Sequence, residues 1–506
     1  VGLGFAFERG CIRILSIVFS MLPRPLFAAL ILFVAVASSA GAERLNVLFI
    51  AIDDLRNDLG ALGDAAAKTP NLDRLAASGR LFTHHYAIVP TCGASRCALL
   101  RGRYPDRPAQ ITNEAILLTH DSWGDRSMPA WWRAHGYRTL SLGKVSHFPG
   151  NYAGKNWAGP PEELPHAWDR AWIPAAPWPH AEGMMHGFAN GRPRQLGRSP
   201  AWEAFDGPDD AYPDYWVARE AVDTLRDLAT SSQPWFFAVG LFKPHLPFAA
   251  PKKWFGLHPA SEIPVPAVTA QPAEPSSWHP SDELRKNYAD AAGRDPATSA
   301  GYAMELRRAY RAATSYVDDQ VGKLMQALHE LDLDDRTIVV VWSDHGYLLG
   351  EHAIWGKHSL YENALRSPLI VRSPGLNRRG AVSDALVEAV DIYPTLLELC
   401  GLPSPGPLDG RSLRANLDNP DTKTVKPARG FWTNGERTLR TDRWRLIAHP
   451  GKPNPSGNGG GVELFDVIAD PDESRNVAAA EPEVVRTLLG RLDEVPAISS
   501  AARLRQ

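Results

Sequence analysis

Apolar positions along the chain follow two rhythms, and their alternation predicts the fold. Leu45-Asn-Val-Leu-Phe-Ile-Ala-Ile52, Trp235 to Leu241 and Thr337 to Trp342 are apolar at nearly every successive position. That is the pattern of strands buried on both faces of a parallel sheet. Tyr137 to Leu142 is a short strand-like run. Residues 305–331 instead place Leu306, Tyr310, Ala313, Val317, Val321, Leu324, Leu328 and Leu331 at three- and four-residue steps, which predicts one stripe of a long amphipathic helix. Ala385 to Cys400 predicts a further helix, stopped by Gly401 and Pro403. Helices alternating with buried strands imply an α/β fold, with a mostly parallel central sheet flanked by helices.

The pattern changes toward both termini. From Met21 the order is Pro/Arg-containing residues, an apolar run from Leu26 to Ala37, then Ser-Ser-Ala-Gly-Ala before Glu43. This reads as a secretory signal with Ala40-Gly41-Ala42 as its cleavage box. The run is short for a membrane span, which is the alternative. Residues 1–20 read as upstream sequence or an extended leader, so positions 1–42 are set apart from the fold. The expected location is exported, periplasmic or secreted if bacterial, with no membrane association after cleavage.

Pro/Gly/Asp-rich sequence runs through Pro427 and predicts a boundary near 421–429, separating a large domain over 43–425 from a small C-terminal α+β subdomain over 426–506. There, Arg437 to Ile447 and Val462 to Val467 flank the Gly/Pro/Asn-rich stretch from Pro450 to Gly461. These predict a small antiparallel sheet, closed by a helix from Glu481 onward. Trp157 to Tyr215, dense in Pro, Trp and Gly, predicts a long irregular excursion over the large domain.

Charge and cysteine content narrow the function. The 54 basic and 57 acidic residues give a net charge of −3 without a concentrated Lys/Arg stripe, which argues against a nucleic-acid partner. Four cysteines, at 11, 92, 97 and 400, make neither a disulfide framework nor zinc-type pairs.

Candidate chemistry gathers after predicted strands, where ligands of open α/β sheets collect. Asp53-Asp54 and Asp344-His345 each end a buried run. Three carboxylates and one imidazole suit a hard divalent cation, with calcium and magnesium both open. Pro90-Thr-Cys92-Gly-Ala-Ser-Arg96-Cys-Ala-Leu-Leu-Arg-Gly-Arg103 predicts a helix opening at Ser95, with Cys92 just before its free N–H groups, an anion-binding position. Arg96 is expected to turn its guanidinium back onto Cys92. Gly143-Lys144-Val-Ser-His147, Lys243-Pro-His245 and Gly350-Glu-His-Ala-Ile-Trp-Gly-Lys357 follow the other predicted strands.

Cys-x-Ala-Ser-Arg followed by Leu-x-Gly-Arg resembles the signature of type I sulfatases, and the Lys243-to-Phe248 and Gly350-to-Lys357 segments are closest to the iduronate-2-sulfatase branch. Two positions depart from the signature: Ala94 stands where proline is common and Arg101 where threonine is usual. The resemblance implies an alkaline-phosphatase-like large domain and oxidation of Cys92 to formylglycine (3-oxoalanine) by a sulfatase-maturing enzyme. It further implies one Ca2+ held by Asp53, Asp54, residue 92, Asp344 and His345. In the implied reaction Arg96 and Ca2+ favour an ionised hydroxyl on residue 92, Lys144 and Lys357 neutralise the sulfuryl oxygens, His245 is the acid and His147 the base. The implied substrate is a sulfated saccharide, a 2-O-sulfated uronic acid for this branch. The alternatives are a phosphatase or phosphodiesterase of the same superfamily, with Thr91 as nucleophile, and a catalytically silent sulfated-glycan-binding protein.

Overall fold

The computed structural model describes residues 44–272, 281–423, 426–450, 461–495 and 498; the expected leader lies outside them, as does most of the stretch between Pro450 and Gly461. The central sheet has eight strands: β1 (Asn46–Ile52), β2 (Arg80–Tyr86), β3 (Arg138–Gly143), β4 (Arg170–Trp172), β5 (Trp235–Leu241), β6 (Thr337–Ser343), β7 (Leu369–Arg372) and β8 (Val382–Glu388). Their spatial order is β8-β2-β7-β6-β1-β5-β3-β4. Parallel pairs join β1 to β5 and β6, β3 to β4 and β5, and β2 to β8, while β7 runs antiparallel to its neighbours β2 and β6. The sheet is therefore mostly parallel, as the unbroken apolar runs predict.

Those runs sit at its centre because each serves two cores. Val47, Phe49 and Ala51 of β1 face a core shared with α1 (Cys92–Arg101). Leu48, Ile50 and Ile52 face a second core built with α2 (Pro213–Ala229). Burying a side chain of this size is worth roughly 1.5–3 kcal/mol, so a strand apolar on both faces gains most between two helical layers. Two further helices matter for the site: α3 (Asp282–Asn287) and the long α4 (Ala300–Glu330). In α4 the predicted stripe faces inward, with Leu306, Tyr310, Ala313, Val317, Val321, Leu324 and Leu328 all buried.

Ala385 to Cys400 does not form one helix. Its first part is β8, paired with β2, and the helix spans only Ile392–Leu399. Ala385, Leu386 and Val387 suit either periodicity, and the edge of β2 takes them as a strand. A reciprocal pair of side-chain-to-backbone bonds between Glu388 and Asp391 then turns the chain into the helix.

The small sheet forms as expected from β9 (Ala428–Phe431), β10 (Arg437–Arg440), β11 (Trp444–His449) and β12 (Gly461–Asp466), antiparallel in chain order. Helix α5 (Pro482–Leu492) covers it through Leu488 and Leu492. A buried cluster ties this sheet to the large one: Arg445 pairs with Glu362 and Glu473, and Tyr86 Oη donates to Glu362 Oε1 at 2.8 Å. The described residues from Leu45 onward form one unit. Among them no helix is long and apolar enough to cross a membrane.

Candidate active site

Four parallel strands release the chain at the same end of the sheet, and each release carries a predicted site residue. Asp53-Asp54 follow β1, Lys144 follows β3, His245 lies just beyond β5, and Asp344-His345 follow β6. Asp54 adopts a left-handed φ of 60°, and its N–H donates to Asp344 Oδ1 at 3.1 Å, which locks the two acidic doublets together. Lys144 N–H donates to Gly240 O at 3.0 Å. A Cβ on Gly240 would lie 2.0 Å from the Lys144 carbonyl, so only glycine lets β5 approach closely enough to hold this lysine.

Helix α1 brings in Cys92. It starts at Cys92 itself, with Thr91 as the N-cap residue, so the cysteine occupies the first turn where the sequence places it before the helix. Asn113 supports this turn: its Oδ1 accepts the Gly93 N–H at 3.1 Å and the Thr91 hydroxyl at 3.3 Å. The hydrogen bonds of Arg96 go to its neighbours around Cys92: the guanidinium donates to Asp344 Oδ2 and Asp53 Oδ1, both at 3.0 Å, and to the Val145 carbonyl at 3.0 Å. Two buried carboxylates attract a guanidinium more strongly than a neutral thiol does.

Around Cys92 the charges interlock. Lys357 Nζ lies 2.9 Å from Asp54 Oδ1 and 3.4 Å from Cys92 Sγ, and His345 Nε2 lies 3.4 Å from the same sulfur. Lys144 Nζ donates to Asp53 Oδ2 at 2.6 Å. Burial would raise Asp53, but Lys144 and the other nearby cations hold its carboxyl well below the usual range. Burial raises Asp54, an effect that Lys357 only partly offsets. Burial also pushes the Cys92 thiol well up, so an unmodified thiol here is a poor nucleophile. His147 is pushed well down by burial and then by Lys144, which keeps its ring neutral.

The donors at this floor could hold a metal ion. Single ligand atoms of Asp53, Asp54, Cys92 and His245 lie within 4.8 Å of one another, as do those of Cys92, Asp344 and His345. Asp53, Asp54 and Asp344 face three fixed cations, Arg96, Lys144 and Lys357, and Lys357 also meets the Glu283 carboxylate, which leaves one negative charge over. A divalent ion would leave the cluster with a positive excess suited to an anion.

Above this floor opens a cavity of about 520 Å³ lined by Cys92, His147, His245 and Lys357. Its walls include Trp157, His186 and Arg194 from the irregular excursion, Glu283 and Lys286 from α3, and Trp432 just after β9. Residues 45–402 match the sulfatase family, and residues 350–497 match a region described as N-sulphoglucosamine sulphohydrolase, C-terminal. The chain belongs to the sulfatase family. It is 31% identical to a sulfatase of Formosa agariphila over 447 residues, covering 86% of this chain and 83% of that protein. It is 30% identical to the iduronate 2-sulfatase of Homo sapiens over 462 residues, covering 83% and 80%. A solved structure described as BT4656 in complex with its substrate D-glucosamine-2-N,6-O-disulfate has a similar fold, with TM-score 0.69 and 21% identity, over 89% of this chain and 97% of that one. The protein is a sulfuric ester hydrolase.

Every predicted site residue of this sulfatase comes to one place: Asp53, Asp54, Cys92, Arg96, Lys144, His147, His245, Asp344, His345 and Lys357 are all buried at the strand ends. Asn113 and Glu283 join them without a prior signal. Asn113 stands alone in sequence between unremarkable neighbours. Glu283 lies in a six-residue helix too short to show periodicity.

Proposed function

We propose that this sulfatase removes sulfate from a sulfated saccharide outside the cytoplasm, with residue 92 converted to formylglycine by a maturing enzyme and one Ca2+ held by Asp53, Asp54, Asp344, His345 and residue 92. The observation that carries the reading is the setting of Cys92. It lies at the floor of the cavity, within 3.4 Å of both Lys357 Nζ and His345 Nε2, yet burial leaves its own thiol un-ionised. Formylglycine would supply a hydrated-aldehyde hydroxyl for attack on sulfur, and the cation would supply positive charge beside it.

The chain's own residues account for the rest. Lys144 and Lys357 present ammonium groups toward the sulfuryl oxygens, where fixed positive charge is worth most in a water-poor site. Arg96 fixes the Asp53 and Asp344 carboxylates so that they face one point. His245 supplies a proton to the departing saccharide oxygen. Neutral His147 takes a proton from residue 92 as sulfate leaves. The iduronate 2-sulfatase relative supports a 2-O-sulfated uronic acid, and Arg194 and Lys286 on the cavity wall suit an acidic sugar.

Peptide mass spectrometry tests the nucleophile: the Cys92 peptide is expected with sulfur and two hydrogens replaced by one oxygen. Active enzyme carrying an intact thiol would overturn this mechanism. Comparing sulfate and phosphate release from paired aryl esters, then desulfation of a panel of defined saccharides, tests the ester and the sugar.

A further inference from the structure

Glu283 is a carboxylate in the reaction cavity that the mechanism above leaves unused. Its Oε1 lies 3.2 Å from His245 Nε2 and its Oε2 lies 3.3 Å from Lys357 Nζ, with the side chain only 14% exposed. One carboxylate thus spans the group assigned to the leaving oxygen and a group assigned to the sulfuryl oxygens. The other side of the His245 ring is fixed, because Nδ1 lies 2.7 Å from the Leu246 carbonyl. A carbonyl and a carboxylate only accept hydrogen bonds, so both ring nitrogens of His245 face acceptors. Lys357 has separate anchorage in Asp54, at 2.9 and 3.1 Å from the two carboxylate oxygens. Burial would raise the Glu283 carboxyl, but Lys357 and His245 hold it well below its usual range, hence ionised.

We propose that Glu283 is a positioning residue for the acid: by bridging His245 Nε2 and Lys357 Nζ it keeps the Nε2 proton in place and the ring aimed at the saccharide's bridging oxygen. As the S–O bond breaks, its electron pair stays on the saccharide oxygen, and the Nε2 proton passes to that oxygen, leaving a neutral imidazole. This deepens the proposed function and rests on its reading of His245 as the acid.

The test is leaving-group dependence. A general acid is worth about 10²–10⁴-fold for a poor leaving group, and little for an aryl sulfate whose phenolate departs unassisted. Glu283→Gln is expected to lower kcat on a saccharide sulfate by about a hundredfold, and by much less on nitrophenyl sulfate. An equal fall on both esters, or no fall on either, overturns the proposal. Glu283→Asp keeps the charge and is expected to give a saccharide-to-aryl ratio between those of wild type and Glu283→Gln. A ratio no better than that of Glu283→Gln overturns the proposal as well, even if the Gln variant is poorly folded. His245→Gln tests the underlying reading alone. If it preserves saccharide turnover, the acid assignment falls; if it is impaired while Glu283→Gln matches wild type, only the role of Glu283 falls.

Discussion

Arg96 and Asp344 form a fully buried contact in which Nε donates to Oδ2 at 3.0 Å and Nη2 lies 2.9 Å from the same oxygen. The guanidinium also reaches Asp53, so one side chain bridges carboxylates from two different strand ends. Arg96→Ala is expected to destabilise the fold by about 3–5 kcal/mol, the usual penalty for leaving a buried charge unpaired. Arg96→Lys would restore charge but not the two-carboxylate fork. Urea unfolding should rank wild type above Lys and Lys above Ala, and a wild-type midpoint for Arg96→Ala would contradict the pairing.

Removal of divalent metal is expected to abolish turnover while leaving the protein folded, because Arg96, Lys144 and Lys357 already pair with Asp53, Asp54 and Asp344. Chelation followed by re-addition of Ca2+ or Mg2+, with circular dichroism alongside sulfate release, checks both halves. Unfolding on chelation would show that the internal cations do not suffice. Asp54→Asn should reproduce the loss of turnover.

Gly240→Ala is expected to reduce kcat and to cost about 1–3 kcal/mol, the range for overpacking a tight interior. The new methyl would meet the Lys144 carbonyl at 2.0 Å and push that lysine away from Asp53. A variant with unchanged kcat would mean that the position of Lys144 does not govern the rate.

His449 gives stability a pH dependence. It is buried in the small sheet, with Nδ1 at 3.1 Å from Glu436 and Nε2 at 2.8 Å from Glu463. Burial would lower its pKa, but the two carboxylates raise it above the ordinary value. A raised folded-state pKa means that the contribution is complete below about pH 6.5, the unfolded value, and is lost as pH climbs through the folded one. Urea midpoints measured from pH 6 to 9 should fall for wild type, and His449→Gln should flatten that part of the curve. Parallel curves for the two proteins would remove His449 as the cause.

The central strands are readable from sequence because burial on both faces leaves few polar positions to blur them; Asp53, Asp54, Lys144, Asp344 and His345 are readable because they follow those strands directly, and Cys92, Arg96 and Lys357 through the motifs that contain them. The segment at Ala385 is not readable, since Ala, Leu and Val fit strand and helix alike and only pairing with His84, His85 and Tyr86 decides. The hydrogen-bond partners of Arg96 are hidden for a related reason. They lie 43 and 248 positions away along the chain, beyond any local pattern. Glu283 depends on a short polar helix whose placement against Lys357 is tertiary throughout.

Trp432 enters the cavity from the loop behind β9, stacked on His358 with ring centroids 5.4 Å apart. Asp53, Asp54, Asp344 and His345 lie at the ends of the large sheet's strands, whereas this part of the rim belongs to a hairpin of the small sheet with its turn at Thr433–Gly435. A change in that hairpin therefore reshapes the cavity mouth without moving any strand end of the large sheet.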